Sequence, residues 1–216
     1  MPEARILLQA AFFLVVVKPF LRLFIGLRVV GMENLPAQDP FVLIANHSSH
    51  LDTVSLLSLF PVGRLRKIRP AAAADYFERT PLMAWFSHTF FNILPIARKH
   101  ITREDHPIQR MRQAVEAGQS LVLFPEGTRG QGQDLGPFQP GIAHLVEQLP
   151  DLRIVPCYLA NMGRALPKGE VVPVPFFCEI RIGRPLRPEG GREDILAALR
   201  NEVLALRDAA LQSQAS

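Results

Sequence analysis

Cysteine and tryptophan are scarce: 216 residues hold two cysteines and one tryptophan. Cys157 and Cys178 make no C-x-x-C and no metal-ligand spacing. Nothing supports a disulfide framework or a zinc ribbon, and a reducing compartment is the default. A strong excess of one charge sign is lacking as well, with 24 Lys and Arg against 20 Asp and Glu, a net +4. So small an excess suits anionic lipid or an anionic substrate and does not by itself imply nucleic acid. The common catalytic signatures are missing too. There is no G-x-S-x-G, no Walker A loop and no H-E-x-x-H, and Gly130, Gly132 and Gly136 miss the dinucleotide spacing. No internal repeat is present, and Ala71–Ala74 is the one low-complexity tract.

What is there is apolar: 48% hydrophobic and 20% charged residues exclude disorder for most of the chain. The length suits one domain with a core that needs neither disulfide nor metal. Only the amino terminus is apolar enough to suggest a membrane. Residues 6–17 read ILLQAAFFLVVV and residues 20–30 FLRLFIGLRVV, with Lys18 and Pro19 between them. A spanning helix needs about 20 apolar residues in line, and Lys18-Pro19 interrupts that line. Val15–Val17 lead straight into Lys18, without the small residues of a signal-peptide cleavage site. On a helix over 19–30, Lys18, Arg22 and Arg28 share an arc of roughly 120°. The expectation is one or two helices lying in the membrane interface; a pair of core helices is the alternative.

From Gly31 onward short apolar runs alternate with helical patterns. Strands are predicted at Phe41–Ala45, Ile68–Ala73, Asn92–Ala97, Ser120–Phe124, Arg153–Leu159 and Cys178–Ile182. Helices are predicted at Thr53–Leu59, Pro81–Thr89, Pro107–Glu116 and Gly141–Gln148, with a last one from Arg192. Alternation of this kind gives an α/β domain: one layered unit with a mostly parallel central sheet flanked by helices. Val171–Pro175 reads as a loop or edge strand.

Two polar clusters follow predicted strands, at the ends where α/β sheets gather ligands. The first is Asn46-His47-Ser48-Ser49-His50-Leu51-Asp52. With Ser49 as N-cap and Asp52 in the first turn, the chain folds back and the carboxylate reaches the imidazole. An Asp on one ring nitrogen fixes the tautomer and leaves the other as a base. Ser49-x-x-Asp52 also fits a structural capping box, and His47, His50 and Asp52 are conceivable zinc ligands. The second cluster is Phe124-Pro125-Glu126-Gly127-Thr128-Arg129-Gly130. Here Gly127 permits a tight turn, Arg129 offers a planar fork for phosphate or carboxylate, and Glu126 fixes Arg129 or holds a hydroxyl. Arg98-Lys99 adds cations after a third strand. Arg64, Arg66, Lys67 and Arg69 form a basic run suited to headgroups, coenzyme A phosphates or an acidic carrier, or to a solvated loop. Phe86, Phe90 and Phe91 near Trp85 line an acyl tunnel or simply belong to the core.

Taken together, these residues resemble the glycerolipid acyltransferase family, whose familiar members are 1-acylglycerol-3-phosphate acyltransferases. Its first motif, N-H-x-S-x-x-D, is similar to Asn46–Asp52. Its third, F-P-E-G-T-R, appears whole as Phe124–Arg129, about 80 residues on. The second resembles Phe91–Arg98 with Ala97 in place of the usual acid, and the fourth resembles Ile154–Cys157. The resemblance implies acyl transfer from acyl-CoA or acyl carrier protein to a lysophospholipid hydroxyl, giving phosphatidate in phospholipid biosynthesis. His47 is then the base and Asp52 its orienter. Arg98, Glu126, Gly127, Thr128 and Arg129 form the acceptor site. It implies no cofactor, no metal and no nucleic-acid partner. It implies a location on the cytoplasmic face of the inner (plasma) membrane, with residues 1–30 as interface helices and 31–212 as the acyltransferase domain. Another lysolipid acceptor, such as a lyso-ornithine lipid, a non-catalytic lipid-binding protein on the same scaffold, and a zinc hydrolase are the rival readings.

Overall fold

The computed structural model describes residues 3–77, 79–97, 106–130, 134–167 and 169–215. Seven strands form one sheet: β1 (Arg28–Val30), β2 (Val42–Ala45), β3 (Ile68–Ala73), β4 (Leu94–Ile96), β5 (Ser120–Leu123), β6 (Ile154–Ala160) and β7 (Glu179–Ile182). Their spatial order is β1-β7-β6-β2-β5-β3-β4. Every neighbouring pair is parallel except β6 and β7. This is the expected α/β layer. The central strands alternate between two cores, as a period of two requires. Leu43, Ala45, Val122, Val155 and Cys157 face one core, and Val42, Ile44, Leu121, Ile154 and Tyr158 the other. Helix α2 (Leu51–Ser58) and the amino-terminal helix cover the first face. The second is covered by α5 (Pro107–Glu116), α6 (Gly141–Gln148) and α8 (Arg192–Ala215). Among the described residues three further short α-helices are α3 (Ala74–Phe77), α4 (Pro81–Phe86) and α7 (Met162–Ala165).

The amino terminus corrects the sequence reading. Lys18-Pro19 does not break the helix, which runs Glu3–Phe24. Its α-helical stretch, α1 (Glu3–Ala11), passes into π-helical turns at Phe12–Val17 and Phe20–Phe24. Proline lacks an N–H and clashes with the carbonyl four residues back. The wider turns absorb it: the N–H of Lys18 donates to the carbonyl of Phe13, five residues back. The Lys18 ammonium donates to the Phe60 carbonyl (3.2 Å), so the charge is spent on the domain. By length and composition the helix could cross a membrane. One stripe of it, however, belongs to the domain core: Phe13, Val17, Leu21 and Ile25 are buried at four-residue steps. Gln9, on the same stripe, donates to the Phe90 carbonyl (2.8 Å). The opposite face exposes Leu7, Leu14, Val15, Val16 and Leu23. Nor does helix reach Val30, because Arg28–Val30 pair with β7 at the sheet's edge.

Candidate active site

Strands β2 and β5 are neighbours in the sheet although the loops they feed lie 79 residues apart in sequence. Both loops leave from the carboxyl ends, and the backbone knits them together. The N–H of His47 donates to Glu126 Oε1 (2.9 Å), and the N–H of Gly130 donates to the carbonyl of His47 (2.8 Å). Asn46 anchors the first loop to β6: its amide donates to the Leu159 carbonyl (3.0 Å) and accepts from the Leu159 N–H (2.7 Å). The Ser49 hydroxyl donates to the Leu166 carbonyl (2.8 Å).

Asp52 is fully buried in the first turn of α2. Its Oδ2 lies 2.7 Å from His47 Nδ1 and accepts the N–H groups of Ser48 (2.7 Å) and Ser49 (2.8 Å). The capping geometry and the imidazole contact therefore coexist on one oxygen. The helix begins one residue later than a Ser49 cap would give, with His50 at the N-cap position. The bond from Asp52 to the Ser49 N–H is nevertheless the return half of a capping box. The His47 ring stacks on Phe124, with centroids 4.1 Å apart at 17°.

Glu126 does not line the cavity. It is buried behind it, with Oε1 on the His47 N–H and Oε2 on the Gly136 N–H (2.9 Å). A Cβ at residue 136 would come within 2.9 Å of Oε2, so a glycine there lets the backbone approach the carboxylate. Gln at residue 126 keeps one acceptor but sets an amide donor against one of the two N–H groups. Glu126→Gln is expected to destabilise by about 1–3 kcal/mol, roughly 2–4 °C in Tm per kcal/mol for a chain of this size. Thermal unfolding checks this, and an unchanged Tm contradicts the clamp.

A cavity of about 660 Å³ opens beside these loops. His47, His50, Gly127, Thr128 and Arg129 line its polar end, and Ala71, Ala72, Ala73, Phe91, Met111, Leu123 and Ile142 are among its apolar walls. The alanine run makes room at the end of β3. Arg129 supplies the site's distinctive electrostatic feature. One guanidinium nitrogen, Nη1, is buried with no hydrogen-bond partner among the described residues. The guanidinium fork is chemically suited to pair with a phosphate or carboxylate. Gly127 takes φ +74°, and a Cβ there would press within 3.2 Å of Gln139. His50 stands at the cavity's lip, where lost hydration, then Arg129 and His47, hold its pKa below the ordinary histidine value. Arg98 lies outside the described residues.

The alanine wall, Met111 and Ile142 carry no motif that marks them as site residues, and the spacing of His50 suggests only a metal ligand. The alanine run was the available signal. Phe91 alone of the aromatic group lines the cavity; Phe86 and Phe90 pack with Phe12 of the amino-terminal helix. Two of the four cations in the basic run are structural, while Arg66 and Lys67 are exposed. Arg64 pairs with Asp39 (2.9 Å) and donates to the Pro36 carbonyl, and Arg69 donates to the carbonyls of Asn92 and Ile93. Both flank the amino end of β3, away from the cavity. Cys157 and Cys178 are buried and unpaired, and burial raises both thiol pKa values, that of Cys178 to about 12. Among the described residues no three His, Cys, Asp or Glu side chains gather as metal ligands.

Comparison with known proteins agrees with this geometry. A family model described as Acyltransferase matches residues 26–160, which include both loops. The 1-acyl-sn-glycerol-3-phosphate acyltransferase BAT2 of Brassica napus is 32% identical over 142 residues, 65% of this chain and 39% of that protein. The 1-acyl-sn-glycerol-3-phosphate acyltransferase of Saccharomyces cerevisiae is 30% identical over 190 residues, 85% of this chain and 59% of that one. The chain thus spans less than two thirds of the length of these curated relatives. Among solved structures, the 1-acyl-sn-glycerophosphate acyltransferase PlsC of Thermotoga maritima shares the fold, with a TM-score of 0.63 at 17% identity over 95% of this chain and 99% of that one. The chain belongs to the acyltransferase family.

Proposed function

We propose that the chain transfers a fatty-acyl group from acyl-CoA or acyl carrier protein to the free hydroxyl of 1-acylglycerol-3-phosphate, giving phosphatidate. One observation carries the reading: the His47 imidazole, held by the buried Asp52 carboxylate, and the Arg129 side chain line the same largely apolar cavity. Nδ1 is committed to Asp52, so Nε2 is the nitrogen left to take the acceptor's hydroxyl proton. The freed oxygen attacks the thioester carbonyl, the C–S bond breaks, and the imidazolium returns the proton to the departing thiolate. The nucleophile comes with the substrate, so no acyl-enzyme and no cofactor is needed. A positioned base contributes roughly 10²–10⁴-fold, and holding two substrates side by side supplies much of the remainder. Arg129 takes the acceptor's phosphate with Gly127 and Thr128 beside it, and Glu126 acts as a positioning residue behind them. Arg98 is proposed as a further acceptor contact.

The same reading puts the protein on a membrane, at the cytoplasmic face of the inner (plasma) membrane. The exposed face of the helix Glu3–Phe24 contacts lipid, and the sheet domain, to which Arg28–Val30 belong, carries the chemistry. The apolar outer face of the amino-terminal helix supports this. The test is a transfer assay offering a panel of lysolipids against one labelled acyl thioester, run on wild type and Arg129→Ala. The wild type is expected to prefer 1-acylglycerol-3-phosphate. The variant is expected to raise KM for that acceptor about 10- to 100-fold with kcat less affected, as for one lost charged hydrogen bond. A preference for a phosphate-free acceptor, or an unchanged KM, overturns the assignment.

A further inference from the structure

We infer that the loop of residues 171–177, between α7 and β7, is a second point of membrane contact, so that the protein rests on an anionic bilayer by this loop as well as by its amino-terminal helix. The inference rests on the membrane reading above and adds a separate segment to it. The loop reads VVPVPFF, and Val171 is 87%, Val172 71% and Phe177 83% exposed. Apolar exposure this dense marks an interaction surface.

The loop is fastened to the domain and presents these side chains on a fixed base. The N–H of Val174 donates to the Ala165 carbonyl (2.8 Å), and the Asn161 amide donates to the Phe177 carbonyl (3.1 Å). Pro173 and Pro175 carry no N–H at all. Three of its seven residues therefore bring no free N–H to a lipid surface, where an unpaired donor is costly.

Its position and charge name the occupant. The Phe177 ring sits on Gly26, where a Cβ would come within 2.9 Å of it. The loop thus continues the apolar face that ends in Leu23 (82% exposed) and Phe24. Cations flank the junction: Arg22 and Arg28 are exposed, and the Arg164 guanidinium lies 5.4 Å over the Phe176 ring. Residues 171–177 contain no acid; Glu170 marks the loop's edge and Glu179 is buried near Arg28. Apolar tips ringed by arginines match the boundary between acyl chains and anionic headgroups.

The experiment uses the full chain and vesicles of phosphatidylcholine with phosphatidylglycerol. Val172→Ser with Phe177→Ser is expected to lower the partition coefficient at least about tenfold, with transfer to a water-soluble short-chain acceptor unchanged. In a second protein, Trp85→Phe with Phe177→Trp, the single tryptophan is expected to be quenched by brominated lipid. Unchanged partitioning, or an unquenched tryptophan in vesicle-bound protein, overturns the inference. So does a lipid-free dimer that the serine pair converts to monomer while vesicle binding persists, because the patch is then a contact between copies. Leu14→Ser with Val15→Ser tests the helix separately. If that pair releases the protein and the loop pair does not, the loop alone fails; if that pair has no effect, the helix reading fails.

Discussion

Replacing His47 with alanine is expected to lower kcat for acyl transfer by roughly 10²–10⁴-fold, the range of a positioned general base, while the fold survives. The separation of the two effects follows from how His47 is built in. Its tertiary structural bonds are made by the backbone, whose N–H meets Glu126 and whose carbonyl meets Gly130. Alanine keeps both. The ring itself gives up one contact with Asp52 and its stacking on Phe124. The stacking is worth about 0.5–1.5 kcal/mol, and Asp52 keeps two backbone donors. Transfer per folded molecule, with thermal unfolding alongside, is the measurement. Turnover within a few-fold of wild type removes the proposed base, and wholesale unfolding shows the ring to be structural.

The second large effect is expected at Asp52, where rate and stability fall together. Oδ2 serves three donors at once, the imidazole and two backbone N–H groups that start α2. In Asp52→Asn the carbonyl must occupy that position to meet them. The new amide nitrogen then lies where Oδ1 is buried without a partner among the described residues. A buried donor left unsatisfied costs about 1–3 kcal/mol, and the lost charge weakens all three bonds, each worth about 1.5–3 kcal/mol when charged. A destabilisation of about 2–4 kcal/mol is therefore expected, with kcat reduced at least tenfold in the molecules that remain folded. Denaturant unfolding and transfer assays on the same preparation check it. Full activity per folded molecule makes Asp52 a helix cap and nothing more.

The sheet was legible because its central strands are short, apolar and well punctuated. Ile68–Ala73, Pro107–Glu116 and Gly141–Gln148 form with the predicted bounds. The two loops were legible because their residue types are costly to keep for packing alone. Their meeting was not, since strand order is a long-range property and β2 and β5 lie far apart in sequence. Lys18-Pro19 misled because proline breaks a regular α-helix, whereas here it sits between two π-helical stretches that carry the helix through. Arg28–Val30 misled because three residues carry too little periodicity to separate an edge strand from a helix end. Glu126 reads in the sequence as fixing Arg129 or holding a hydroxyl, because no local pattern shows the two backbone N–H groups, of His47 and Gly136, that occupy it.

The central claim is that a substrate hydroxyl, and no group of the protein, attacks the thioester. Rapid-mixing measurement of free thiol released from acyl-CoA, with and without 1-acylglycerol-3-phosphate, tests it most directly. Thiol and phosphatidate are expected to appear one for one when the acceptor is present, and no burst when it is absent. A burst equal to the enzyme concentration without acceptor, or thiol release that yields no phosphatidate, contradicts the account.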